Sequence, residues 1–287
     1  MADVLHFPVE FADEARMEIL KAIILGAVQG LTEFLPVSSS GHLVILGEIL
    51  GRELGGEGST AQSVLLHLGS WLAILIVFRN DIIKLVWPRF DLRSFGILFI
   101  ASLPAAIVGI TIKKLLPDAQ EAWIETNLLQ SPWVACFGLL FTAGLLWFAE
   151  RKRELVTTFD NAKGPAFWLV SLVGVAQMIA ILPGISRSGS TICMALMLRW
   201  VKSDAVKLSF LMGLIAIGGA GLIEAKEISH IEIGPAAAGF LTSLLFSLIG
   251  LWGIKLVVEK EKLRWFALYC AVAGSAALGY FLAYPPS

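Results

Sequence analysis

Apolar residues run along this chain in unbroken blocks rather than in alternation. Six blocks, about 62–78, 95–112, 132–149, 208–223, 236–254 and 265–283, are each 16–19 residues long. That is enough, or nearly enough, for a helix to cross the hydrocarbon of a bilayer. The period-two pattern of a transmembrane barrel is absent, so the blocks predict an all-α polytopic membrane protein. Two further apolar stretches, about 19–50 and 165–198, are interrupted. The first is broken by Leu35-Pro36-Val37-Ser38-Ser39-Ser40-Gly41-His42, the second by Leu182-Pro183-Gly184-Ile185-Ser186-Arg187-Ser188-Gly189-Ser190. Proline and glycine break a helix at both places, and the fragments on either side are short for a full crossing. Irregular backbone at membrane depth is tolerated only where protein buries it or a cavity lies beside it. Both stretches therefore read as re-entrant hairpins, two half-helices meeting at a loop. The alternative is two ordinary spans with a turn at the surface.

Composition agrees with the pattern. Apolar residues (Ala, Val, Ile, Leu, Met, Phe, Trp, Tyr and Cys) make up 57% of the 287 residues and charged residues only 16%, against about 25% charged in soluble domains. Disorder, a nucleic-acid partner and a secreted disulfide scaffold are excluded. Cys136, Cys193 and Cys270 lie inside apolar blocks without metal-ligand spacing and are expected to fill volume. Asp3, Glu10, Asp13, Glu14 and Glu18 precede any long apolar run, which is unlike a cleavable signal.

Net charge is −1, but its distribution is uneven. Arg79, Lys84, Arg89 and Arg93, then Arg151, Lys152, Arg153 and Lys163, then Arg199, Lys202 and Lys207, then Lys255, Lys260, Lys262 and Arg264 fall in four segments between spans, fifteen of the 22 basic residues. Arg16, Lys21, Arg52, Lys113, Lys114 and Lys226 fall on the other side. The positive-inside rule puts the fifteen in the cytoplasm. The first hairpin then enters from outside, the second from the cytoplasm, and both termini lie outside. Lys113 and Lys114 run against the rule. Trp87, Trp123, Trp133, Trp168, Trp200 and Trp265 fall near span ends, as interfacial belts require.

The hairpins resemble one another. Gly26, Gln29, Ser38, Ser40 and Gly41 recur 148 residues later as Gly174, Gln177, Ser186, Ser188 and Gly189. Each copy heads three spans, and an odd number of crossings separates them. The prediction is an inverted-topology repeat in a single membrane domain, with halves about 19–149 and 165–283. In such folds broken helices place a site near the midplane.

Chemistry concentrates in the two loops. Glu33, His42 and Arg187 are ionisable groups at expected membrane depth, each costing on the order of 2.5–3.5 kcal/mol there. Ser38, Ser39 and Ser40 precede an expected helix start at Gly41–His42; Ser186, Ser188, Gly189, Ser190 and Thr191 stand equivalently at the other. Helix N-termini with glycine and serine suit an anion, and Arg187 adds a planar fork for phosphate. Plain N-capping is the competing reading of the serines, and an ion pair closing the repeat interface that of Glu33 and Arg187. Glu33 corresponds to Ile181, Ser39 to Arg187 and His42 to Ser190. The first hairpin thus carries an acid, a candidate nucleophile and a base, and the second a phosphate clamp. Ser39 and His42 are spaced for a hydroxyl–imidazole pair. That asymmetry favours catalysis over the alternative, a transporter or flippase of a phosphorylated lipid. His6, His67 and His230 read as structural. The small-residue run Gly213–Gly221 suits tight helix packing, within one chain or between two copies of a homodimer.

The stretch Gln29-Gly30-Leu31-Thr32-Glu33-Phe34-Leu35-Pro36-Val37-Ser38-Ser39-Ser40-Gly41-His42 resembles the first signature of the bacterial undecaprenyl-diphosphate phosphatases, and Pro183-Gly184-Ile185-Ser186-Arg187-Ser188-Gly189-Ser190-Thr191 the second. The resemblance extends to length and span pattern. It implies hydrolysis of undecaprenyl diphosphate to the monophosphate carrier and phosphate, in service of peptidoglycan synthesis and bacitracin resistance. It further implies a divalent cation, Mg²⁺ or Ca²⁺, and a bacterial inner (plasma) membrane location with the active site open to the outer face. Glu33, Ser39, His42 and Arg187 match the family's acid, serine, histidine and arginine. Ser38, Ser40, Gly41, Ser186, Ser188, Gly189 and Thr191 would contact phosphate, with Gln29 and Gln177 in support. Gln29 departs from the family, where that position is often Glu, so metal binding would lean on Glu33 and the substrate's own phosphates. The nucleophile on this reading is Ser39 with His42 as base; water and His42 itself remain alternatives. The type 2 phosphatidic acid phosphatases share a Ser-Gly-His triplet but need a later His–Asp pair, and after Arg187 the one histidine is His230.

Overall fold

The computed structural model describes residues 9–49, 60–88, 90–149, 156–162, 165–224 and 232–286. Asp3, His6, Arg52, Arg89, Arg151, Lys152, Arg153, Lys163, Lys226 and His230 lie outside the described residues. The chain is all-helical there: α1 Val9–Phe34, α2 Ser39–Ile49, α3 Thr60–Val86, α4 Leu92–Ile110, α5 Asp118–Ile124, α6 Pro132–Ala149, α7 Pro165–Ile179, α8 Arg187–Met197, α9 Lys202–Glu224, α10 Ile233–Glu259 and α11 Leu263–Ala283. π-helical turns at Thr111–Leu115 and Glu125–Leu129 extend α4 and α5.

Among the described residues, six helices are long and apolar enough to cross a membrane: Gln62–Val86, Leu92–Leu115, Pro132–Ala149, Lys202–Glu224, Ile233–Glu259 and Leu263–Ala283. They coincide with the six apolar blocks and overrun them at the ends. α3 continues through Arg79, Asp81 and Lys84 because helical backbone still satisfies its own hydrogen bonds where polar side chains meet water. α4 starts where the Asp91 carboxylate accepts the Ser94 N–H at 3.1 Å; hydrogen bonding by Ser94 holds the Asp91 carboxyl below its ordinary range.

Large apolar side chains cover the outer surface as well as filling the core, where Phe34, Phe210 and Phe281 are buried. Phe99, Phe137, Trp252 and Leu282 are exposed on the outer surface, while helices meet through glycine and serine. A Cβ on Gly26 would stand 2.6 Å from the Gly239 carbonyl, and one on Gly30 would press into Ser243 and Ser247. Ser243 and Ser247 in turn hydrogen-bond Leu66 and Ser70 of α3 at 2.6 and 2.9 Å. From Gly26 to Gly30 the partner register on α10 advances from Gly239 to Ser247, so α1 and α10 run parallel. α7 and α4 are likewise parallel: Gly96 faces Phe167, and further along Gly174 faces Ala101 and Pro104. The three cysteines are buried and none forms a disulfide, as expected of volume fillers.

Basic segments gather at one end of the bundle. Lys207 pairs with Asp81 at 2.9 Å and Lys202 with Glu261 at 2.7 Å, and Arg93 donates to the Asp160 and Ala162 carbonyls. Lys113, one of the two residues against the orientation rule, is matched by Glu121 and Glu125 at 3.2 and 3.3 Å. Trp200 departs from expectation. It is 1% exposed and packs edge-on against Phe159, because segment 156–162 folds over the start of α9 and covers it. Trp87, Trp123, Trp168 and Trp265 are exposed, and Trp133 is half-buried against Phe281. In the small-residue run, Gly213 accommodates Arg187 and Gly218 the Trp71 indole, both from within the chain.

Candidate active site

The two interrupted loops touch. Loop 1 joins α1 to α2 through Leu35–Ser38, and loop 2 joins α7 to α8 through Ala180–Ser186. A Cβ on Gly41 would lie 2.6 Å from the Gly184 Cα, and Gly189 packs on the Pro36 ring. The Ser188 hydroxyl donates to the Leu35 carbonyl at 3.2 Å. Loop 2 makes its turn at Gly184, whose φ of 85° suits glycine. Thr142 of α6 pins that turn, donating to the Gly184 carbonyl at 2.8 Å and accepting the Ser186 N–H at 3.0 Å.

Both helices that leave the loops begin with the same cap. Ser38 Oγ accepts the Gly41 N–H at 3.3 Å, and Ser186 Oγ accepts the Gly189 N–H at 3.1 Å. Ser38 and Ser40 lie 3.3 Å apart through their hydroxyls, as do Ser186 and Ser188. The N–H of His42 reaches the Ser38 carbonyl, and that of Ser190 the Ser186 carbonyl. Positions 148 residues apart in the sequence therefore do the same structural work. N-capping holds for Ser38 and Ser186, whereas Ser40 is exposed.

Between the loops sits a polar cluster centred on Glu33. Its Oε1 accepts from Arg187 Nη2 at 2.6 Å. Its Oε2 accepts from the Ser39 hydroxyl at 2.7 Å and from Gln29 Nε2 at 3.0 Å. Gln29, Glu33 and Ser39 are all buried, and the Arg187 side chain is 14% exposed. Arg187 also donates to the Ser209 carbonyl at 3.4 Å and lies in the slot that Gly213 leaves open. The ion pair considered from sequence thus forms, inside a larger network.

The expected Ser39–His42 pair gives way to two other contacts. Ser38 has φ 67°, an unusual conformation for a residue with a side chain. The His42 ring turns back onto the Ser38 carbonyl, with Nδ1 at 2.7 Å. A carbonyl only accepts, so Nδ1 carries the proton and the neutral ring's Nε2 is an acceptor. Nε2 lies 2.7 Å from the Tyr269 hydroxyl of α11. Thr191 is also redirected: its hydroxyl bonds the Arg187 carbonyl and Ser209 Oγ at 2.8 and 2.7 Å, which ties α8 to α9. Gln177 and Ser190 are buried without side-chain hydrogen-bond partners.

The donor set admits a divalent cation in a restricted way. Among the described residues no group of three or more His, Cys, Asp or Glu gathers to hold one. Glu33 offers about four lone-pair positions, of which Arg187, Ser39 and Gln29 use three. Among the described residues nothing hydrogen-bonds the buried Gln29 Oε1. A carboxylate and an amide oxygen fit a Mg²⁺-type ion that takes its remaining ligands from substrate phosphates and water.

Sequence reasoning missed Tyr269, Thr142, Ser209 and Gly213. Ser209 and Gly213 belong to a small-residue stretch that reads as packing. Tyr269 stands 227 residues from its partner His42 and carries no local signal.

A family model described as bacitracin resistance protein BacA matches residues 22–276, which include both loops. The chain belongs to the BacA family. An undecaprenyl-diphosphatase of Christiangramia forsetii is 39% identical over 273 residues, covering 91% of this chain and 98% of that relative. One from Rhodopirellula baltica is 38% identical over 265 residues, and one from Methanosphaera stadtmanae 36% over 281 residues; each alignment covers 90% of this chain and 96% of the relative. BacA membership therefore extends over nearly the whole chain, from α1 to α11.

Proposed function

We propose that this chain hydrolyses undecaprenyl diphosphate to undecaprenyl phosphate and inorganic phosphate at the junction of its two loops, returning the carrier lipid to cell-wall synthesis. The observation that carries this reading is the 2.6 Å Arg187–Glu33 contact across the loops, with the Ser39 hydroxyl on the same carboxylate. Breaking a buried ion pair by removing one partner costs about 3–5 kcal/mol, yet packing alone has no use for a serine aimed at it. Membership of the BacA family and the names of the relatives supply the reaction.

Ser39 is the nucleophile. Its proton passes to Glu33 as Oγ attacks the terminal phosphorus, the P–O–P bridge breaks, and the lipid monophosphate departs with the bridging oxygen. Water then attacks the phosphoserine. His42 Nε2 takes the water proton, Glu33 returns its proton to Ser39 Oγ, and phosphate leaves. Arg187 keeps N–H donors beyond the two that bond Glu33 and Ser209, and these face charge on the transferring group. The N–H groups of Ser40 and Ser188, next to the capped ones of Gly41 and Gly189, add to them. A divalent cation, Mg²⁺ or Ca²⁺, would be held by Glu33 and Gln29 Oε1 and would neutralise substrate charge.

The architecture proposed around this site is one membrane domain with an inverted-topology repeat, halves 19–149 and 165–283, each a re-entrant hairpin followed by three spans. The identical caps support it, as do the reciprocal pairings: each hairpin's first helix runs parallel to the second span of the other half. With the basic end in the cytoplasm, the protein sits in the bacterial inner membrane and its site opens outward.

The test is free phosphate released from undecaprenyl diphosphate by the purified chain in detergent with Mg²⁺. Turnover well above a protein-free control is expected, and Ser39→Ala should abolish it. No phosphate from folded protein would leave lipid transport as the reading; near-normal release by Ser39→Ala would make water the nucleophile.

A further inference from the structure

We propose that Tyr269 is a positioning residue that sets His42 for its part in the reaction. The inference rests on the reading of the site given above. Three observations converge on it. The Tyr269 hydroxyl lies 2.7 Å from His42 Nε2, the nitrogen left as an acceptor once Nδ1 is committed to the Ser38 carbonyl. The two rings are nearly parallel, 6° apart in plane with centroids 5.6 Å apart. The neighbouring residue anchors the same helix on the same loop: the Cys270 thiol reaches the Pro36 carbonyl at 3.7 Å.

The geometry has a chemical consequence. His42 is tethered at both nitrogens, by loop 1 on one side and by α11 on the other. Without the phenol, the ring would be held by the Nδ1 contact to the Ser38 carbonyl alone. With it, the imidazole plane is set by a helix that α6 also holds in place, where Gly274 packs on Cys136. The phenol O–H occupies the Nε2 lone pair in the resting site and so holds it as an acceptor; once that hydroxyl turns, the freed lone pair takes the water proton and the phenol oxygen accepts the new Nε2–H. Tyr269 does not touch Glu33, Ser39 or Arg187, so its influence on the reaction passes through His42.

Tyr269→Phe keeps the ring and removes only the hydroxyl. In detergent with undecaprenyl diphosphate, kcat is expected to fall about tenfold with KM within about twofold, the signature of a lost transition-state contact. A second readout follows the imidazole directly. Carbethoxylation of His42 by diethyl pyrocarbonate, followed by peptide mass spectrometry, is expected to be several-fold faster in Tyr269→Phe, because the Nε2 lone pair is uncovered. Wild-type kcat and wild-type labelling in Tyr269→Phe, with loss only in Tyr269→Leu, would reduce the residue to packing and overturn the proposal. A wild-type protein that releases no phosphate would refute the proposed function instead, and the labelling comparison would still decide what Tyr269 does to His42.

Discussion

Arg187 depends on a residue with no side chain. A Cβ at position 213 would stand 2.7 Å from the Arg187 Cζ, so Gly213→Ala must push the guanidinium off Glu33 or distort α9. Phosphate release is expected to fall at least tenfold while circular dichroism still reports a folded helical protein; unchanged turnover would show that the slot is not needed. Arg187→Lys should fare little better, losing on the order of 100-fold in kcat, because an ammonium cannot span Glu33 and a phosphate oxygen as the fork does. Glu33, His42 and Arg187 were legible in the sequence because the membrane makes charge expensive, so each stands out in an apolar stretch. Their wiring was not. The spacing of Ser39 and His42 implies a pair, but the left-handed backbone at Ser38 turns the imidazole to its own loop and leaves Ser39 to Glu33. No spacing rule anticipates that, nor Tyr269 reaching in from the last helix.

At the scale of elements, loop 2 owes its shape to Thr142. That hydroxyl both donates to Gly184 and accepts from Ser186, so Thr142→Val orphans two buried backbone groups. Destabilisation of about 1–3 kcal/mol is expected, read as a lower unfolding midpoint in detergent, with activity reduced in step. A midpoint equal to wild type would mean that the loop holds itself. Gly41→Ala is the complementary change on loop 1, where the added methyl would meet the Gly184 Cα at 2.6 Å and separate the loops. The six apolar helices and both interruptions are visible in the sequence, since block length and Pro-Gly punctuation report them directly. The short α5 is not visible: its residues are polar and apolar without a clear period, and only its ion pairs to Lys113 explain its position.

For the molecule as a whole, the basic segments identify one end and the ion pairs of Asp81, Lys207, Lys202 and Glu261 bind that end together. The orientation proposed for it is open to chemical labelling. With the three buried cysteines as a quiet background, a cysteine at Asp118 should react with a membrane-impermeant maleimide in spheroplasts, and one at Glu261 only after lysis. The reverse pattern would invert the topology. Parallel pairing of α1 with α10 and of α7 with α4 could not be read from the chain, because it comes from small-residue contacts between halves. The central claim is that the contact between the two loops is the catalytic site. It is tested most directly by measuring phosphate release from undecaprenyl diphosphate by wild type and Arg187→Ala side by side, each confirmed folded. Turnover by the wild type and a loss of at least 100-fold in the variant are expected; equal rates in the two would place the chemistry elsewhere.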